Sequence, residues 1–218
     1  MVTVVITSCD RLDLLERTVE SFNEMNTYPI KEFIIIEDSG KPEVHEALKA
    51  LYPDYHLILN EENIGLIRSV DKAYAQVTTP YVFHTEDDYE YVKPGFVEDS
   101  LKIMEDNSWI MQVWISNIHN QPIDEAICET GGVKFRLVGV DGMNGIWHGF
   151  TFAPGLRSMD GYEKTRPWTQ WSEEGTFLAA RECEIGREYF RQGYRAASLL
   201  NIFKDGYCKH IGGGRATW

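Results

Sequence analysis

The chain lacks several features that would each have pointed to a different protein. Its four cysteines, Cys9, Cys128, Cys183 and Cys208, stand far apart with no CxxC spacing. That pattern suggests neither a zinc knuckle nor a disulfide framework, so they read as ordinary reduced residues. No apolar run approaches the length needed to span a membrane. The first residues form a strand pattern rather than a basic-then-apolar leader, and the expected location is cytoplasmic. Basic residues are scarce, 21 against 34 acidic ones, for a formal charge of -13. Such a balance argues against general affinity for nucleic acid phosphates or anionic membranes. Glycine-rich phosphate cradles are missing too: no GxGxxG follows the first apolar run, and no GxxxxGK[ST] occurs anywhere. An anionic ligand would therefore need a bound cation and a few placed arginines. Internal repeats and low-complexity tracts are also absent.

What is present is an alternation of strand and helix signals. The chain's 218 residues fit one domain of ordinary size. Residues 2–7 (VTVVIT) are β-branched and apolar, too short for a helix and suited to a central strand. A helix follows, with Asp10 as the expected cap, Asp13 in its first turn, and Leu12, Leu15, Val19 and Phe22 on one apolar face. Residues 33–36 (FIII) predict a second buried strand. Pro42 opens a helix that turns Val44, Leu48 and Leu51 inward. Residues 55–59 predict a third strand, residues 65–77 a helix through Ile67, Val70, Ala73 and Tyr74, and residues 81–83 the start of a fourth strand. Repeated βα units of this kind predict a mostly parallel, Rossmann-like α/β sheet covered by helices on both faces. Beyond residue 88, Pro94 starts a helix carrying Val97, Leu101 and Met104, and residues 109–115 predict a strand. Residues 117–168 are rich in glycine, proline and aromatics and predict a small mixed or antiparallel extension. Residues 172–192 read as helix. The tail, 207–218, with glycines at 212, 213 and 214, reads as a flexible end or the seam to a further domain.

The densest chemistry lies in residues 80–88 (PYVFHTEDD), where an apolar run ends in Glu86, Asp87 and Asp88. Adjacent carboxylates repel, and a fold that gathers them at a strand end usually supplies a cation. A solvated acidic loop is the competing explanation. Two more polar clusters fall at predicted strand ends, residues 7–11 (TSCDR) and 37–40 (EDSG). Ligands of open parallel sheets bind beyond those ends, which makes the three clusters a candidate nucleotide cleft. Its hard oxygen donors favour Mg²⁺ or Mn²⁺ over zinc, and Arg11 and Arg68 are the cations available for a diphosphate.

In their order and spacing, VTVVITSCDR, FIIIEDSG, NIGLIRSVDKA and PYVFHTEDD resemble the nucleotide-binding half of family 2 glycosyltransferases of the GT-A fold. The resemblance covers roughly the first 100 residues and divides a single domain into a nucleotide-sugar half, 1–100, and an acceptor half, 101–218. It implies that Thr7, Ser8 and Arg11 lie in the turn that meets the nucleoside, that Asp38 reads a uracil ring, and that Glu86 and Asp87 take the ribose and metal side of a DxD motif. Asp88 matches the final, metal-coordinating Asp. The departures from the family pattern are TSCD for TYN, EDSG for DDGS, and a triplet that begins with Glu.

Further along, residues 182–195 (ECEIGREYFRQGYR) resemble the segment in which an acidic base precedes a helix ending in a Gly-Tyr-Arg turn. Counting back from Gly193 places the base at Glu182, with Glu184 second; Glu173 and Glu174 lie eight or nine residues earlier. His210 falls where the family carries a late histidine near metal or diphosphate. Trp147, His148 and Phe150 suit either a sugar platform or core packing. The resemblance implies a metal-dependent, inverting hexosyltransferase that moves a sugar from a UDP-sugar to a hydroxyl of a glycan or glycoconjugate acceptor. Two alternatives are a non-catalytic sugar- or Ca²⁺-binding module and a sugar-1-phosphate nucleotidyltransferase. The second normally carries a glycine-rich triphosphate loop, and TSCDRLDLL has no glycine.

Overall fold

A computed structural model describes residues 1–116, 126–140, 145–171, 178–200 and 206–214. The chain begins β1 (Val2–Ser8), α1 (Leu12–Met25), β2 (Glu32–Glu37), α2 (Pro42–Leu51), β3 (His56–Leu59), α3 (Leu66–Tyr74), β4 (Tyr81–Glu86). Every residue of β1 is buried, as its continuous apolar run demands of a strand covered on both faces. Strands β3, β2, β1 and β4 lie side by side in that order, all parallel, so the alternating signals of the first half become successive βα units.

After β4 come the short β5 (Tyr89–Tyr91), α4 (Phe96–Asp106) and β6 (Ile110–Trp114). The extension contributes β7 (Cys128–Thr130), β8 (Val133–Val138) and β9 (Gly155–Ser158). Then follow α5 (Met159–Thr165), a 3-10 turn (Trp168–Trp171), α6 (Leu178–Arg191), β10 (Arg195–Leu199) and β11 (Cys208–His210). Among the described residues the main sheet has the order β3-β2-β1-β4-β9-β6-β10-β8-β7. β9 runs antiparallel to both β4 and β6 and so joins the two halves of the chain in one sheet, while β10 returns parallel to β6. This is the mostly parallel GT-A architecture with an antiparallel extension.

Side chains alternate across the sheet. Val4, Ile6 and Phe83 pack with Leu15, Val19 and Phe22 of α1, Val44 and Leu48 of α2, and α4. Val5 and Val82 pack instead with α3, Tyr162 of α5, Trp168, and Ile185 and Tyr189 of α6. Phe22 is the hub of the first layer, with ring centroids 5.7 Å from Phe33, 5.4 Å from Phe83, 5.1 Å from Tyr91 and 5.5 Å from Phe96.

Several local expectations change. Asp10 does not cap α1: it has φ +59, a left-handed conformation that Asp tolerates, and its carboxylate pairs with Lys41 Nζ at 2.6 Å. The position before the helix is Arg11, without a side-chain cap. Leu51 does not turn inward with Val44 and Leu48: it is 45% exposed at the last position of α2. The tail is partly built in, since β11 pairs antiparallel with β5 and sets His210 opposite Tyr89. Glu173, Glu174, the first residues of the expected helix 172–192 and the segment 117–125 lie outside the described residues.

Replacing Phe22 by Ala empties the centre of this aromatic cluster and is expected to cost about 3–5 kcal/mol in urea unfolding, whereas Leu51→Ala should stay within about 0.5 kcal/mol of the parent. Equal losses from the two substitutions would contradict the packing described.

Candidate active site

The parallel register of β1, β2 and β4 aligns Ser8 with Glu37 and Thr7 with Glu86 at one edge of the sheet. All three polar clusters of the sequence therefore converge. The organising contact is Arg11. Its Nε donates to Asp87 Oδ2 at 3.2 Å, Nη2 to Asp87 Oδ1, and Nη1 to Asp88 Oδ2 at 2.8 Å. Asp87 Oδ2 also accepts from Ser8 Oγ at 2.9 Å and from the Cys9 amide at 3.3 Å. Asp87 is wholly buried, and Arg11 and Asp88 nearly so.

Electrostatics follow from this burial. Desolvation pushes the Asp87 carboxyl up to about 6 against the opposing pull of Arg11 and Ser8. Arg11 is itself disfavoured by burial, yet Asp87 and Asp88 outweigh that and strengthen its hold on its proton. Glu86 lies partly exposed at the mouth. Burial of its surroundings, then repulsion from Asp88, Asp87 and Glu182, pushes it up to about 8. One cation that the acidic triplet requires is thus supplied by the chain. Arg11 is nearly buried as the partner of these acids.

Asp88 is nevertheless not fully satisfied. Its Oδ1 is buried with no hydrogen-bond partner, while Oδ2 lies 3.1 Å from His210 Nε2. The strand pair β5–β11 builds this approach, and Ile211 N donates to Asp88 O at 2.8 Å. Gly212 closes the cradle: a Cβ there would sit 2.4 Å from Asp88 Oδ2 and 3.1 Å from the His210 ring. A half-exposed imidazole, an orphaned carboxylate oxygen and a backbone that leaves room fit a divalent cation that takes its remaining ligands from a diphosphate and water. No group of three His, Cys, Asp or Glu converges among the described residues, so the protein alone offers at most this pair.

The other expected residues are placed as follows. Thr7 is buried beside Glu86, its Oγ1 without a partner. Asp38 is fully buried: Oδ1 accepts from Asn60 Nδ2 at 2.6 Å and Ile64 N at 3.0 Å, and Oδ2 from Gly65 N at 2.8 Å. It therefore shapes the turn into α3, whose Gly65 has φ +87, rather than presenting a free carboxylate. Glu37 works in the same way, accepting from Asp10 N at 2.8 Å and Ser39 Oγ at 2.8 Å. Arg68 is exposed on the first turn of α3.

On the acceptor side, Glu182 and Glu184 part company. Two residues along a helix turn a side chain by about 200°. Glu184 is exposed and paired with Arg187 at 2.8 Å, so it is not brought to the site. Glu182 faces inward, with Oε1 accepting from Phe152 N at 2.7 Å and Thr151 Oγ1 at 3.0 Å. Burial raises its proton affinity, against those two bonds and the charge of Arg157. Its own charge reaches Glu86 and Tyr89. Trp147, His148 and Phe150 are 7%, 7% and 0% exposed, which settles the open choice for core packing over a sugar platform. His148 stacks on Phe190 with ring centroids 3.9 Å apart.

Some contributors escaped the sequence reading. Thr18 sits on the apolar face of α1 and ties the triplet in place, donating to Asp87 O at 2.8 Å and accepting from Tyr89 N at 3.1 Å. A lone threonine within that stripe was its one signal. Gly212 and the 151–153 segment gave none.

Because Arg11 is the common partner of two buried carboxylates, Arg11→Met should destabilise the fold by about 3–5 kcal/mol in urea unfolding at neutral pH. A loss below about 1 kcal/mol, the range of a surface pair, would show that the bridge is not buried as described.

Residues 3–155 match the family described as glycosyl transferase family 2, a span that ends just inside β9. No curated protein matches the chain. Among solved structures, a mannosyltransferase from Pyrobaculum calidifontis, PcManGT, solved in complex with GDP-Man and Mn²⁺, superposes with a TM-score of 0.62 at 16% identity. The alignment covers 99% of this chain and 58% of that one, so this chain spans a little over half of that protein's length. At this identity the likeness establishes the fold.

Proposed function

The chain belongs to glycosyl transferase family 2; from that premise we propose that it is a nucleotide-sugar glycosyltransferase that moves a sugar, with inversion and with a divalent cation, from a UDP-sugar to a hydroxyl of a glycan or glycoconjugate. Family membership supports this reading over the binding-module and nucleotidyltransferase alternatives. The observation that carries the proposal is the acidic triplet, on which two built groups bear. One is the Asp88–His210 pair with its orphaned Oδ1, and the other a part-buried, hydrogen-bonded Glu182 whose charge reaches Glu86.

Asp88 and His210 would hold Mn²⁺ or Mg²⁺, which when bound neutralises charge on the departing diphosphate. Arg68, exposed at the start of α3, adds a second positive charge to the same task. Ser8 and Thr7 at the end of β1 and Glu86 at the end of β4 line the nucleoside side, with Asp38 fixing the turn beside them. Glu182 is the base. Both of its bonds fall on Oε1, which orients the carboxylate, and its raised proton affinity makes it a stronger acceptor than an exposed glutamate. As the acceptor oxygen bonds to the anomeric carbon, its proton passes to Glu182. The carbon–oxygen bond to the diphosphate breaks on the opposite side, and the diphosphate leaves with the electron pair.

The likeness to a GDP-mannose enzyme makes the base a direct question. Calorimetric titration with Mn²⁺ present should show UDP binding that falls at least tenfold in excess chelator and at least tenfold in Asp88→Asn. Tighter binding of GDP than UDP would overturn the choice of base, and metal-independent binding would overturn the role of Asp88.

For catalysis, Glu182→Gln should lower turnover by on the order of 10²–10⁴ with UDP affinity unchanged. The parent's kcat/KM should rise with pH through the Glu182 titration, because the base works only when ionised and its proton affinity lies above the ordinary carboxylate range. Undiminished turnover in the variant would remove Glu182 from the mechanism.

A further inference from the structure

Two buried polar side chains on neighbouring strands converge on a single peptide unit. Gln112 of β6 and Arg157 of β9 are register partners, 0% and 1% exposed. Gln112 Nε2 donates to Thr151 O at 2.8 Å, and Gln112 Oε1 accepts from Thr151 N at 3.3 Å. Arg157 Nη2 donates to the same Thr151 O at 2.7 Å and to Ala153 O at 3.4 Å, while Nη1 donates to Tyr74 OH at 2.6 Å. Thr151 and Phe152 are the residues whose hydroxyl and amide hold Glu182 Oε1.

A buried guanidinium normally sits against a carboxylate, because leaving it without one is costly. Arg157 has no ion pair among the described residues: Nη1 and Nη2 donate to a phenol and to carbonyls, and its Nε is buried without a hydrogen-bond partner. Its neighbour His84, fully buried with both ring nitrogens unpartnered, is kept neutral by burial and by Arg157 itself. The charge of Arg157 acts on the Glu182 carboxylate and also on the phenols of Tyr74 and Tyr189.

We propose that Arg157 and Gln112 form a positioning clamp for Glu182: they fix the Thr151 peptide so that its hydroxyl and the Phe152 amide aim at Oε1. The clamp's catalytic meaning rests on Glu182 as the base. Its physical content does not, and can be measured in the free protein. The ionisable groups facing Glu182 are Glu86 from β4, Tyr89 from β5, Arg157 from β9, and Cys183 and Tyr189 from its own helix. Of these, Arg157 is the only cation.

The test is a carboxyl ¹³C NMR titration of glutamate-labelled protein without metal or nucleotide, with the Glu182 signal assigned by its loss in Glu182→Gln. Arg157→Met should move the Glu182 midpoint upward by on the order of one pH unit, since an opposite charge nearby favours ionisation. Arg157→Lys should return it most of the way. Gln112→Met, which keeps the charge and loses the two bonds to Thr151, should move it upward by less. Loosened packing alone would admit water and move the midpoint downward. A midpoint that stays put or falls in a folded Arg157→Met overturns the clamp; if that variant does not fold, no upward shift in Gln112→Met overturns it equally. Glu182→Gln that retains turnover would remove the base reading while leaving this titration to be judged by itself.

Discussion

The bridge from Arg11 to Asp87 and Asp88 is the contact on which the rest of the site depends. It spans the end of β1 and the turn after β4, two central strands that meet in parallel. Without a cation between them, two buried carboxylates in consecutive positions would repel and would each lose their solvation. With the guanidinium in place, its planar fork serves both acids at once, which a lysine's point charge cannot do. Asp88 is thereby held with one oxygen engaged and the other unpartnered. The tail then closes over it through Ile211 and His210. The result is an unpartnered carboxylate oxygen held next to an exposed imidazole and a bound guanidinium.

Much of this was legible in the sequence because it is periodic or local. The parallel half could be read from β-branched runs alternating with helical stripes, and the convergence of TSCDR, EDSG and EDD follows from parallel topology alone. The reading weakened wherever a residue's role is fixed by a partner far along the chain. Arg11 was expected against the ligand; the two acids it pairs with lie more than seventy residues away. Asp38 carries the chemistry of a base reader, but its carboxylate turns inward to the amides of Ile64 and Gly65. The tail showed no pattern because a three-residue strand has too few positions to show one, and only pairing with β5 gives it a shape. Counting back from Gly193 ranked Glu182 ahead of Glu184, and the buried face of α6, with Ile185, Gly186 and Tyr189, gives that order a physical reason.

The two halves of the site are joined by β4 and β9. Along β4, Phe83 points into the layer of α1 and α4, while Val82 points into the layer of α3 and α6. Two-residue alternation then sends Glu86 to the side on which Glu182 acts upon it, and leaves Asp87 to Arg11 and Ser8. Neighbouring carboxylates thus serve different halves because they stand on opposite faces of one strand end.

β9 completes the connection by lying antiparallel between β4 and β6, with Arg157 opposite Val82 on one side and Gln112 on the other. No helix could occupy that place, since only a strand can place a residue in register with two neighbours at once. The family match, residues 3–155, ends as β9 begins. Glu182, Arg157 and His210 lie beyond it, yet each is held by residues within it: Glu182 by Thr151 and Phe152, Arg157 by Tyr74 and Thr151, His210 by Asp88. β9 is therefore the seam between the matched and unmatched parts of the chain, held in register on both of its sides.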